Sequence, residues 1–121
     1  MTRKAMWLLT SLGLLLGVLH LTLTLPMYGR LSLEALWFAG SGLAVICCAL
    51  MNIVALRSRA PSGRWAIVIA NLLIAAFFAA AWPLLPSPQV AAGFIIFIVL
   101  AVGLGPIAAW QEKVAHRALN S

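Results

Sequence analysis

Apolar residues run in four long blocks, and polar or turn-forming residues gather in the short gaps between them. The blocks cover residues 5–25, 33–56, 65–85 and 90–110. Each matches the ~20 apolar residues that carry a helix across ~30 Å of hydrocarbon. Breakers punctuate the gaps: Pro26 and Gly29, then Pro61 and Gly63, then Pro83 and Pro86. Ser87-Pro88 reads as an N-cap followed by proline at the first helical position. Ser32-Leu33-Glu34 reads as a cap with an acid in the first turn, where the helix dipole favours negative charge. Gaps this short join antiparallel neighbours. The pattern therefore predicts an all-α, integral membrane four-helix transmembrane bundle, up-down-up-down. Residues 1–121 form one domain on this reading, with 111–121 as a polar helical extension of the last span.

Composition removes the soluble alternative. Hydrophobic residues make up 64% of the chain and charged residues only 8%, against about 25% charged in an ordinary soluble domain. The first apolar block follows Thr2-Arg3-Lys4, as in a signal peptide, but it is longer than the ~7–15-residue signal core and no small-x-small cleavage site follows it. It reads as an uncleaved anchor that is also the first span.

Charge then sets an orientation. Arg3, Lys4, Arg57, Arg59, Arg64, Lys113 and Arg117 fall on one side of the predicted bundle, and only Arg30 falls on the other. The positive-inside rule places both termini and the middle connection in the cytoplasm, which is the arrangement expected in a bacterial-type inner membrane. So lopsided a distribution argues against dual topology. Trp7, Trp65 and Trp110 mark the inner boundary, and Tyr28, Trp37 and Trp82 the outer one, as interfacial aromatic belts do. The net charge of +6 does not indicate nucleic acid, because the basic residues sit at span ends rather than on one polar face. The lipid bilayer, with its anionic headgroups, is the partner they imply.

Polar and small residues fall in stripes. Thr10, Gly13, Gly17, His20 and Thr24 lie within about 80° of arc on the first helix. Glu34, Ser41, Cys48 and Asn52 share a face of the second, with Gly40, Ala44 and Cys48 as a small-residue row beside them. Asn71, Ala75 and Ala79 share a face of the third, and Ala101, Gly105 and Ala109 one of the fourth. Helices in lipid associate through small residues and polar contacts, so these stripes are expected to face the bundle interior. Pro106, beside Gly103 and Gly105, is expected to loosen the fourth span near its inner end.

Two polar pairs follow from depth. His20 and Glu34 both fall within ~8 Å of the outer surface, so they form a candidate polar site, with His20 as proton acceptor and Glu34 as its orienting carboxylate. The plainer reading has His20 bonded within its own helix and Glu34 serving the helix dipole. Asn52 and Asn71 fall in the inner third of consecutive helices and are expected to bond to each other as an interhelical contact.

No cofactor is called for. His20 and His116 fall on opposite sides of the membrane, which disfavours a bis-histidine haem or a metal site. Cys47 and Cys48 are adjacent and point about 100° apart, so they form no redox motif. Nothing marks Ser32 or Ser41 as a nucleophile. The span-one glutamate of small multidrug exporters and the paired cysteines of quinone-reducing thiol enzymes are both missing. The leading expectation is a non-enzymatic accessory or scaffold component, a homo-oligomer or the partner of another membrane protein. Two alternatives stand beside it: a small transporter or channel built on His20 and Glu34, and a lipid- or quinone-modifying enzyme.

Overall fold

The computed structural model describes residues 2–58, 63–107 and 117. Four α-helices follow in order: α1 Arg3–Tyr28, α2 Leu33–Ser58, α3 Arg64–Ala81 and α4 Pro88–Val102. A π-helical turn, Gly103–Ile107, continues α4. All four helices are long and apolar enough to cross a membrane. They form an all-α bundle running up, down, up and down. α1 packs most extensively on α2, and α3 on α4; the two hairpins meet along thinner α1–α4 and α2–α3 seams.

Local chemistry sets the helix ends. Thr2 caps α1, its hydroxyl accepting from the Ala5 N–H at 3.3 Å. Ser32 does the same for α2, accepting from the Ala35 N–H at 3.2 Å. Gly29 ends α1 in the left-handed region (φ 65°), where its N–H reaches the Leu25 carbonyl at 2.8 Å. Only a residue without Cβ takes that conformation at no steric cost.

Two boundaries and one cap differ from the sequence reading. Pro26 does not end α1 but lies inside its last turn. So close to the terminus, the one bond it forfeits is easily spared. α3 stops at Ala81, short of residue 85, because Pro83 has no N–H to continue the ladder. Ser87 has the extended backbone of an N-cap with Pro88 behind it, as expected, but its hydroxyl makes no capping bond. The turn around 59–62, the end of the fourth span beyond residue 107, Trp110, Lys113, His116 and Ala109 lie outside the described residues.

The core is a column of Met6, Val45, Cys48, Leu56, Ala75, Phe78, Val90, Ile96, Phe97 and Leu100. Phe78 and Phe97 stack in its middle, centroids 6.3 Å apart. A Cβ on Gly93 would stand 2.5 Å from the Phe78 ring, so the aromatic layer exists only because residue 93 has no side chain.

The helices share a level at one end. Arg3 on α1 donates to the Leu56 carbonyl on α2 at 2.9 Å. Asn52 on α2 meets Asn71 on α3, six residues from one helix end and seven from the other. This is the arginine end. α1 and α2 have 26 residues each and α3 only 18, or ~39 Å against ~27 Å. The surplus stands at the opposite end, where Leu31, Leu33 and Trp37 are exposed.

Candidate functional site

α1 presents to the bundle the stripe expected of it. Met6, Thr10, Gly13, Gly17 and Thr24 are buried and His20 is half-buried. The two glycines serve different neighbours. A Cβ on Gly13 would meet the Phe97 ring of α4 at 3.2 Å, whereas one on Gly17 would meet the Gly42 carbonyl of α2 at 2.9 Å. Reciprocally, a Cβ on Gly42 would meet the Gly17 carbonyl at 2.9 Å and the His20 Cβ at 2.7 Å. Gly17 and Gly42 are therefore the point of closest approach between α1 and α2.

α2 is rotated from the sequence reading. Its buried positions are Ala35, Gly42, Val45, Cys48, Ala49, Asn52 and Leu56. Gly40 and Ala44 are exposed, and a Cβ on Gly40 would meet nothing within 4 Å. The expectation that they pack inside the bundle is thus corrected. Two small-residue rows run along α2, and Gly42 lies about 200° round from Gly40. The inner row was settled by Gly42, whose opposite number Gly17 is on another helix. On α3 the buried row is Val68, Asn71, Ala75 and Phe78, so Phe78 replaces the expected Ala79, which is exposed. On α4, Ala101 is buried and a Cβ on Gly105 would meet Val68 at 3.2 Å, as packing residues should.

The polar core lies between α2 and α3. The Asn52 amide donates to Asn71 Oδ1 at 2.9 Å, and the Asn71 amide returns the bond to Asn52 Oδ1 at 2.8 Å. Each Nδ2 spends its other proton on its own helix: Asn52 on the Cys48 carbonyl at 2.9 Å, Asn71 on the Ile67 carbonyl at 2.8 Å. The Cys48 thiol adds a weaker contact to Asn71 Oδ1 at 3.6 Å. Both side chains are fully buried, and every amide proton has a place. The arrangement is a closed structural clasp and presents no group to a substrate.

His20 and Glu34 are not brought together as a pair. His20 Nδ1 donates to the Leu16 carbonyl one turn back, at 2.9 Å. A carbonyl can only accept, so this bond puts the proton on Nδ1. The ring stacks on Phe38 with centroids 4.7 Å apart, and Tyr28 tilts onto the same phenyl at 5.7 Å. Glu34 is exposed in the first turn of α2 and accepts from the Ser32 hydroxyl and its own backbone. Sequence reasoning set the two residues side by side; it did not see that Phe38, one turn after Glu34, takes the imidazole face.

The outward side of α2 carries the remaining surface of note. Leu33, Trp37, Gly40, Ala44, Cys47, Met51 and Val54 are all exposed. Their spacings alternate between four and three, the seam of a helix built to meet another helix. Its middle is Gly40-x-x-x-Ala44, which allows close backbone approach. At the arginine end, Arg57 stands over the Trp7 ring, 5.9 Å from its centroid. Among the described residues no cluster of His, Cys, Asp or Glu has metal-binding spacing. Comparison with protein-family models, with curated proteins and with solved structures finds no match for this chain.

Proposed function

We propose that this chain is a non-enzymatic multi-pass component of a bacterial-type inner membrane, with both termini cytoplasmic, that assembles with a second copy of itself through the outward face of α2. The observation that carries the reading is the use of small residues. Gly13, Gly17, Gly42, Gly93 and Gly105 each meet a neighbouring helix of the same chain, whereas Gly40 faces open space beside exposed Ala44 and Cys47. In lipid, small residues on a helix face gain nothing from exposure; they gain from a close-packed partner. A single preferred orientation makes the pairing parallel, so that Gly40 meets Gly40 and Cys47 meets Cys47 about a two-fold axis. The clasp of Asn52 with Asn71 and the in-helix bond of His20 support structural roles over chemistry.

Cys47 supplies the test. It is exposed, while Cys48 is buried. In native membranes treated with a mild oxidant, the chain carrying Cys48→Ser should give a disulfide-linked dimer. The yield should collapse in a Gly40→Leu background, with the fold retained. A monomer under all these conditions would overturn the reading. The transporter alternative would instead show transport sensitive to His20→Ala and Glu34→Gln but indifferent to Gly40→Leu.

A further inference from the structure

Given the parallel pairing through α2 proposed above, we infer that the second copy also rests on α3. Its Val54 enters the groove between α2 and α3 at the arginine end, beside Ala66, and the contact is reciprocal about the two-fold axis. Leu50, Met51 and Val54 form the α2 wall of this groove, and Gly63, Ala66 and Ile67 the α3 wall. Its volume is about 420 Å³, and every side chain in the walls is apolar. Met51 and Val54 belong to the outward seam of α2 as well. Groove and seam are therefore one continuous surface, and a helix that covers the seam at that depth covers the groove.

Helix geometry brings the second α2 to α3. Seam spacings of four and three go with a crossing of about 20°. The two helices come closest at Gly40 and Ala44, and Val54 lies ten residues beyond Ala44, ~15 Å along the axis. Over that length a crossing of about 20° carries two straight axes ~5 Å apart sideways, about half the spacing of packed helices. At the depth of Val54 the second α2 thus stands beside the first rather than squarely on it, and it needs a seat on one flank.

The two flanks differ. On the α1 side, Arg57 lies over the Trp7 ring, 5.9 Å from its centroid, and Arg3 donates to the Leu56 carbonyl at 2.9 Å. Two arginines occupy that flank, and a copy of the same orientation would bring like charges to the same depth. On the α3 side, Ala66 is exposed, and a Cβ on Gly63 would meet nothing within 4 Å. Small residues exposed in lipid gain from a close-packed helix. The recess they leave is apolar, as is the Val54 side chain that fills it.

The test is disulfide capture in native membranes between two differently tagged copies of the full chain, both carrying Cys47→Ser and Cys48→Ser. One copy carries Val54→Cys and the other Ala66→Cys. A control pair replaces Ala66→Cys by Leu8→Cys, at an exposed position of α1. With a mild oxidant, positions 54 and 66 should link about tenfold more than the control pair, and Gly40→Leu should abolish the link. In the chain carrying only Cys48→Ser, Ala66→Trp fills the groove and should lower the yield of the Cys47-linked dimer about fivefold, with helicity by circular dichroism intact. A Cys47-linked dimer without the link between 54 and 66 would overturn the seat on α3 and leave the pairing through α2 standing. A Cys47-linked yield that ignores Ala66→Trp would also overturn the seat and give the groove to lipid. Loss of both links would overturn pairing and seat together. If Ala66→Trp fails to fold, the link between 54 and 66 decides alone.

Discussion

Asn52 and Asn71 exchange two amide bonds, 2.9 and 2.8 Å long, across the α2–α3 seam. This seam is one of the two thin ones between hairpins, so a specific polar tie matters there more than it would between α1 and α2. Removing one partner leaves the other amide buried without a bond. We expect Asn52→Ala or Asn71→Ala to cost about 1–2 kcal/mol, and the double variant to cost less than the sum by about 1 kcal/mol. Reversible unfolding in detergent micelles, arranged as a double-mutant cycle, measures this. Additive losses would show that the clasp contributes nothing as a pair.

Gly17 and Gly42 present their carbonyls to each other's missing Cβ at 2.9 Å. Gly17→Leu or Gly42→Leu should therefore separate α1 from α2 and destabilise the fold by more than about 3 kcal/mol, because backbone cannot give way as a side chain can. Gly40→Leu, on the opposite face of the same helix, should lower the melting temperature far less, by no more than the lost pairing with a second copy contributes. The contrast between Gly42 and Gly40 reads out in one thermal-shift series.

Gly93 and Phe78 form a size-matched pair. Gly93→Ala should cost about 1–3 kcal/mol through overpacking. Phe78→Leu should itself destabilise, yet partly rescue Gly93→Ala when the two are combined. Rescue separates a steric conflict at this contact from a change in helix propensity, which would act alike in both backgrounds.

Much of the fold could be read in the chain, because membrane spans are set by length and hydropathy alone and caps by single residues such as Ser32. The facing of helices was less legible. Two rows of small residues on α2 are equivalent in isolation, and only a partner, here Gly17, distinguishes Gly42 from Gly40. Asn52 and Asn71 were found because polar amides at equal depth on consecutive helices have few other places to bond. Phe78 was missed in favour of Ala79 for a related reason: the space for its ring is provided by Gly93, on a different helix.

His20 is held by Leu16 and Phe38, while Glu34 is occupied at its own helix terminus. Glu34→Gln should therefore leave the ring-nitrogen NMR shifts of His20 unchanged in nanodiscs. Phe38→Ala should move them, since it removes the stacked ring 4.7 Å away. The reverse result would re-establish the two as a coupled pair.

Arg3 donates to the Leu56 carbonyl and closes the arginine end of the first hairpin. Arg3→Gln should loosen the last turn of α2 by about 0.5–1 kcal/mol. Faster amide exchange confined to residues near 56 would show it.

The unequal lengths of α3 and of α1 and α2 have a mechanical meaning for the surrounding lipid. α3, at ~27 Å, is a little shorter than the ~30 Å of average hydrocarbon, whereas α1 and α2, at ~39 Å, exceed it. Lipid meeting α3 would be drawn thinner, and lipid meeting α1 and α2 would be stretched or met by tilt. The molecule is thus a wedge in thickness. Elastic cost is lowest where such wedges sit with their long sides turned toward thicker bilayer, so the protein should collect along boundaries between thin and thick membrane rather than disperse evenly through either.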